Sequence, residues 1–137
     1  MINEQNKLIH IKKINFEAKK SSNSDLLVYE FNNIEFNLKR FFIIKCELPE
    51  TRGKHAHKIG NQIMSVIKGK IEIQFFDGID WTSFHLSDSS PAIFVPKGIW
   101  SVQKYDENSS LLVLADFDYD EEEYIRDFDE YLKIRNG

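Results

Sequence analysis

Gln62 to Leu86 reads QIMSVIKGKIEIQFFDGIDWTSFHL, three β-rich runs separated by two turns. QIMSVI stops at Lys68-Gly69-Lys70, and IEIQFF then alternates apolar and polar residues away from that turn. Asp77-Gly78 is a strong hairpin signal, and WTSFHL, Trp81 to Leu86, is the return strand. The same grammar extends in both directions. Upstream lie Leu8 to Ile14 (LIHIKKI), Leu26 to Phe31 (LLVYEF) after the polar turn SSNSD, and Arg40 to Cys46 (RFFIIKC). The last is continuous rather than alternating, which predicts a strand covered on both faces. Downstream, Ala92 to Val95 runs into Pro96-Lys97-Gly98, and Leu111 to Phe117 (LLVLADF) closes the sheet region. Helical spacing enters only at the end, where Tyr124, Phe128, Tyr131 and Leu132 recur at intervals of three and four behind an acidic first turn. That predicts an acidic helix over about 120–133.

Short strands about ten residues apart with Gly and Pro turns predict an all-β chain, either a closed barrel or a jelly roll of two sheets, with one short C-terminal helix. Cupins are one such class. At 137 residues, without repeat or linker, a single domain over 1–137 is expected. A composition of 42% hydrophobic and 13% aromatic residues can fill a core without disulfide or metal staples. The single cysteine, Cys46, ends an apolar strand and reads as a buried, inert thiol. No stretch reaches the ~18 uncharged apolar residues of a membrane span, and MINEQNKLIHIKK lacks the apolar centre of a signal peptide. The expected location is therefore cytoplasmic, with no membrane partner.

The formal charge of −4 conceals an asymmetry. Residues 116–130 hold nine acids against Arg126 alone, a charge of −8, which leaves +4 on the rest. A mildly basic body suits a small phosphorylated ligand, whereas a nucleic-acid duplex calls for a denser Lys and Arg stripe. No nucleic-acid partner is expected.

The chemistry concentrates in Arg52-Gly53-Lys54-His55-Ala56-His57-Lys58. His55 and His57, at i and i+2 on an extended segment, point to one face. Two such imidazoles can grip a metal or one substrate, and either can act as a base near neutral pH. Arg52, Lys54, Lys58 and Arg40 can hold a phosphate. A His-x-His pair on a strand edge is equally compatible with a solvated surface. In the general cupin pattern a Glu shortly after the second His and a His on a later strand complete a metal site, and here those positions are Asn61 and Ser101. Two imidazoles fall short of the three protein ligands a transition metal ordinarily takes, so a metal-free pocket with no cofactor is expected.

The run RGKHAHK with its spacing to Gln62 and Gly69, the VPKGIW turn, and LADFDYDEEEYIRDFDEY together resemble the small bacterial cupins that act as sugar-nucleotide 3,4-ketoisomerases. The resemblance covers about Arg40 to Tyr131. It implies an isomerase that moves the keto group of dTDP-4-keto-6-deoxyglucose from C4 to C3, toward 3-amino-3,6-dideoxy sugars of surface polysaccharides. It implies His55 and His57 as the proton-transfer pair, and Arg40 and Arg52 on diphosphate or sugar oxygens. With these go Lys58, Gln62, Trp100 and Ser101 as substrate contacts; Trp100 can stack on thymine or sugar, although a Trp in a small barrel more often packs in the core or at the rim. It further implies a homodimer exchanging N-terminal strands, so that Ile2 to Ile14 pairs with a partner's sheet. Asp120 and Arg126 match family positions and are expected at the dimer.

The chain departs from the family at Asn61 for Glu, at Ser101 for His, at Phe42-Ile43 for an aromatic hydroxyl pair, and at Ser22 to Leu27 for an Asp-x-Arg-Gly-x-Leu turn. Two alternatives accompany the isomerase: a non-catalytic cupin that binds a sugar nucleotide, and an isomerase of altered substrate or stereochemistry. A metal-dependent oxygenase is disfavoured by Asn61 and Ser101. Of the remaining candidates, Trp81, His10 and His85 read as structural, Tyr105 is unplaced, and Tyr124, Phe128 and Tyr131 read as packing residues.

Overall fold

Alternation on either side of Asp77-Gly78 builds the expected hairpin. In the computed structural model, which describes residues 11–32 and 34–136, β7 (Lys70–Phe76) sends Ile71, Ile73 and Phe75 into the interior. Strand β8 (Trp81–Ser87) returns antiparallel to it. Asp77 Oδ1 accepts the backbone N–H groups of Ile79 and Asp80 at 2.8 and 2.9 Å, closing the turn between them. At the other end, Gly69 has φ +76°, and a Cβ there would lie 2.4 Å from Ser109 Oγ and 2.9 Å from the Asn108 carbonyl. Only glycine fits so tight a reversal.

Nine antiparallel pairings among the described residues assemble two five-stranded sheets and a separate hairpin. The first sheet orders β1 (Lys12–Ile14), β9 (Ala92–Val95), β6 (Gln62–Lys68), β11 (Ser109–Ala115) and β4 (Arg40–Cys46). The second orders β12 (Tyr124–Ile125), β5 (Glu50–His57), β10 (Trp100–Tyr105), β7 and β8. The small hairpin joins β2 (Glu17–Lys20) to β3 (Asp25–Val28). This is a cupin-type jelly roll, with the main core of Met64, Val66, Ile73, Phe75, Leu111 and Val113 between the sheets. A second cluster, Ala56, Phe76, Trp100, Ile125 and Tyr131, lies under helix α1 (Phe128–Asn136). A third covers the outer face of the first sheet, where Phe16, Tyr29, Phe31 and Phe36 pack near Ile63 and Leu114. Cys46 is buried, as its apolar strand predicts.

One burial pattern and two boundaries differ from the sequence reading. Strand β4 alternates instead of being covered on both faces: Phe42 and Ile44 reach the core, while Phe41 and Ile43 are 64% and 44% exposed. Strand β3 stops at Val28, since Tyr29 and Phe31 leave the hairpin to pack on the first sheet. The C-terminal helix begins at Phe128, not near 120. Residues 121–123 form a single 3₁₀ turn capped by Asp120, whose side chain accepts the Glu122 N–H, and Tyr124–Ile125 then pair with His57 and Ala56 as β12. Tertiary pairing with β5 overrides the helical spacing there. The expected strand Leu8–Ile14 survives as β1 on Lys12–Ile14, with Ile11 packed on the core; residues 2–10 of the proposed exchanging segment, His10 among them, lie outside the described residues.

Candidate active site

A bulge shapes strand β5 just before its histidines. Gly53 and Lys54 both adopt positive φ, +85° and +60°, and the pairing with β10 shifts register between Ser101 and Val102. Arg52 and His55 are three residues apart and would point to opposite faces of a regular strand; the extra residue turns both toward one groove. A Cβ at Gly53 would sit 3.0 Å from the Ser101 carbonyl, so the approach of the two strands also selects glycine.

The groove encloses about 590 Å³ and is lined by Arg52, His55, Gln62, Gln103, Tyr124 and Arg126, with Phe42, Met64 and Val113 on its apolar side. That volume suits a small organic ligand. His55 and His57 do share a face, with ring centroids 5.0 Å apart, and the Tyr124 ring covers both at 5.0 and 4.5 Å. The Nδ1–H of His55 donates to the Gly53 carbonyl at 3.1 Å, which leaves Nε2 as the acceptor. Burial, and then the neighbouring His57, push its pKa down to about 4, so the ring is a neutral base at pH 7.

His57 is deeper, at 6% exposure, and its Nδ1–H donates to Glu123 Oε2 at 2.6 Å. Burial lowers its pKa, and the hydrogen bond to Glu123 opposes that shift. Glu123 is itself buried, at 4% exposure, and its Oε1 accepts the backbone N–H groups of Ile59 and Gly60, both at 2.9 Å. The Phe117 ring packs on His57 at 5.0 Å and holds its place because residue 60 is glycine, whose Cβ would lie 1.9 Å from Phe117 Cδ1.

Arg40 sits on the other side of Phe117. Its guanidinium lies over the rings of Phe42, Phe117 and Tyr119 at 5.4, 5.1 and 5.5 Å. Its Nε and Nη2, together with His57 Nε2, are buried and make no hydrogen bond to any described residue. Buried polar groups are nearly always satisfied, so three orphans around one aromatic ring mark a place for a ligand. At the rim, Arg126 stacks on Tyr124 at 4.4 Å and is held by Glu121, Nε to Oε1 at 2.6 Å and Nη2 to Oε2 at 3.1 Å.

Other expected contacts fall elsewhere. Trp100 does not line the groove: it is 4% exposed and packs on Phe128 and Tyr131 at 5.1 and 5.5 Å, beneath α1. Lys58 is also off the groove lining, in the turn where its backbone N–H donates to the Glu123 carbonyl at 2.9 Å. Ser101 is buried opposite His55 in the ladder. Asn61 is a latch, with Nδ2 donating to Asp116 Oδ2 at 2.8 Å and Oδ1 accepting the Lys97 N–H at 3.0 Å. The departure from Glu at 61 thus serves the loops around the site. Among the described residues no three His, Cys, Asp or Glu side chains converge as a metal-binding set.

The family model described as "FdtA: WxcM-like, C-terminal" matches residues 4–136. The chain belongs to this family. Its relatives include TDP-4-oxo-6-deoxy-alpha-D-glucose-3,4-oxoisomerase of Aneurinibacillus thermoaerophilus, 30% identical over 94% of this chain and 91% of that protein. A 3,4-ketoisomerase from Helicobacter canadensis superposes with TM-score 0.86 at 35% identity, covering 93% of this chain and 98% of the other. The sugar 3,4-ketoisomerase QdtA from Thermoanaerobacterium thermosaccharolyticum, solved in complex with TDP, superposes with TM-score 0.86 at 28% identity, over 94% and 96% of the two chains. Beside these WxcM-like relatives, the rmlC epimerase of Mycobacterium tuberculosis, at 14% identity and TM-score 0.72, shares the fold.

The sequence reading missed four residues of the site: Glu123, Tyr124, Gln103 and Arg126. Its expectation for Arg126 and Asp120 is a dimer contact, and for Tyr124 packing alone. The signal for Glu123 was the breakdown of helical amphipathicity at 121–123, where acids occupy all three positions.

Proposed function

We propose that the protein is a TDP-sugar 3,4-ketoisomerase that converts dTDP-4-keto-6-deoxyglucose to its 3-keto isomer by proton transfer without a metal, in the cytoplasm and as a homodimer. The observation that carries this reading is the neutral imidazole of His55, its Nδ1–H fixed on Gly53 O, which lines the groove next to His57, the ring on which the Arg40 charge bears. Proton abstraction next to a ketone needs a base that is unprotonated at neutral pH and a donor for the developing enediolate. An imidazole takes the proton from C3 while O4 gains one; C4 is then protonated as O3 loses its proton, and the keto group has moved with no net oxidation. Arg40 and Arg52 serve the diphosphate or the sugar oxygens, and Gln62, on the groove wall, the sugar.

The experiment is proton NMR of dTDP-4-keto-6-deoxyglucose with chelator-treated protein in deuterated buffer. Expected are deuterium at C3 of recovered substrate and at C4 of a new 3-keto species, and a loss of turnover of roughly 10²–10⁴-fold in His55→Ala or His57→Ala. Saturable dTDP binding without exchange would instead identify a non-catalytic sugar-nucleotide-binding cupin.

A further inference from the structure

Glu123 is 66 positions from His57 in sequence, yet its carboxylate is the only described hydrogen-bond partner of that ring. Its two oxygens face different groups. Oε1 closes the turn after β5 by accepting the Ile59 and Gly60 N–H groups, and Oε2 accepts His57 Nδ1–H. A carboxylate has no proton to give, so the contact admits one neutral tautomer of His57, with Nδ1 protonated and Nε2 bare. That bare Nε2 is one of the three orphaned buried atoms of the site.

We propose that Glu123 is a positioning residue for the isomerisation, acting through His57: it fixes the Nδ1–H tautomer, orients the ring, and keeps Nε2 free to accept a proton. This rests on the isomerase reading above. When Nε2 takes up a proton, the imidazolium forms against a carboxylate 2.6 Å away, which offsets the burial of the new charge. The charged neighbours of His57 share in that balance, beside the Tyr124 ring that packs on it at 4.5 Å. Glu123 favours the cation, whereas Arg40 from β4, Arg126 beyond β12, and His55 from the same strand oppose it. The turn geometry makes the role testable by one atom. In Glu123→Gln the Ile59 and Gly60 N–H groups still require an acceptor, so the amide oxygen faces them and the NH₂ faces His57. The ring then accepts at Nδ1 and carries its proton on Nε2, the wrong tautomer for a base.

The test combines ¹⁵N NMR of the histidine rings in ligand-free protein with steady-state kinetics. Wild-type His57 is expected as the Nδ1–H tautomer, and Glu123→Gln as Nε2–H. In that variant kcat for dTDP-4-keto-6-deoxyglucose should fall by roughly 10²–10⁴-fold with KM nearly unchanged, and the acid limb of kcat should move to lower pH. Glu123→Asp, which keeps the charge, should retain the wild-type tautomer and recover part of kcat. An Nε2–H tautomer in the wild type overturns the proposal, whether or not the variants fold. So does a folded Glu123→Gln protein with wild-type kcat. If the wild type fails to turn over this sugar, the substrate reading falls, while the ring spectra still decide the role of Glu123.

Discussion

The proposed role of His55 as a base rests on where its proton is held and how little water reaches it. With Nδ1–H on the Gly53 carbonyl and burial pushing its pKa down to about 4, the ring stays neutral well below the usual histidine range. The acid limb of kcat/KM is therefore expected near pH 4, not near 6.5. Stability follows with a definite sign. The unfolded chain binds the proton more readily than the folded one between pH 6.5 and about 4, so stability falls as pH drops through that window. His57, also lowered, adds to the loss. Glu121 acts with the same sign in a lower window. Hydrogen bonds from Arg126, then Tyr119, hold its carboxyl at about 2, so its small, solvent-exposed contribution goes only at still lower pH. Melting temperatures from pH 8 to 3, in wild type and His55→Gln, check this: the variant should show a shallower decline between pH 6.5 and 4. An unchanged slope would mean that the buried neutral ring is not the origin.

At the scale of elements, what could be read from sequence was whatever local pattern controls. The alternation of IEIQFF, the Asp77-Gly78 turn and the Gly69 reversal all act within a few residues, and each appears where expected. The His pair was legible for the same reason, since i and i+2 on a strand share a face. The start of helix α1 and the strand β12 were not, because Glu123 and Ile125 are fixed by partners on β5, far away in the chain. Trp100 illustrates the same limit. As a turn aromatic beside the histidines it suggests a stacking platform, yet strand pairing turns it under α1, where Tyr131 also anchors the helix by donating its hydroxyl to the carbonyls of Gly98 and Phe76 at 2.7 and 2.9 Å. Trp100→Ala should accordingly cost about 3–5 kcal/mol of stability. Its Kd for dTDP, measured below its melting point, should stay within about threefold of wild type, since stacking on a base would be worth about 1–3 kcal/mol. Calorimetric unfolding and dTDP titration of the variant distinguish the two roles; a large loss of affinity in a folded protein would return Trp100 to the ligand.

At the scale of the whole molecule, the open edge of the first sheet carries exposed apolar side chains. Strand β4 ends the first sheet, so one edge of its backbone lacks a strand neighbour among the described residues. On its outward face Phe41 is 64% exposed, and Leu48 just beyond it is 75% exposed. The neighbouring outward residues Leu112 and Leu114 of β11 are, by contrast, sheltered by the aromatic segment around Phe16, Tyr29 and Phe36. An apolar sheet edge left open invites another strand or another chain. A second copy is the natural occupant, since a two-fold contact covers both copies of the patch at once. Size-exclusion chromatography with light scattering should then give twice the 16.1 kDa of the chain for the wild type. Phe41→Glu combined with Leu48→Glu should give the single mass, because two buried carboxylates per subunit without partners oppose association. Ile43 is left intact in this design because it also borders the groove, so a change in dTDP affinity would not be confused with loss of the dimer. A wild-type monomer would remove the homodimer, and a dimeric double variant would move its interface away from β4.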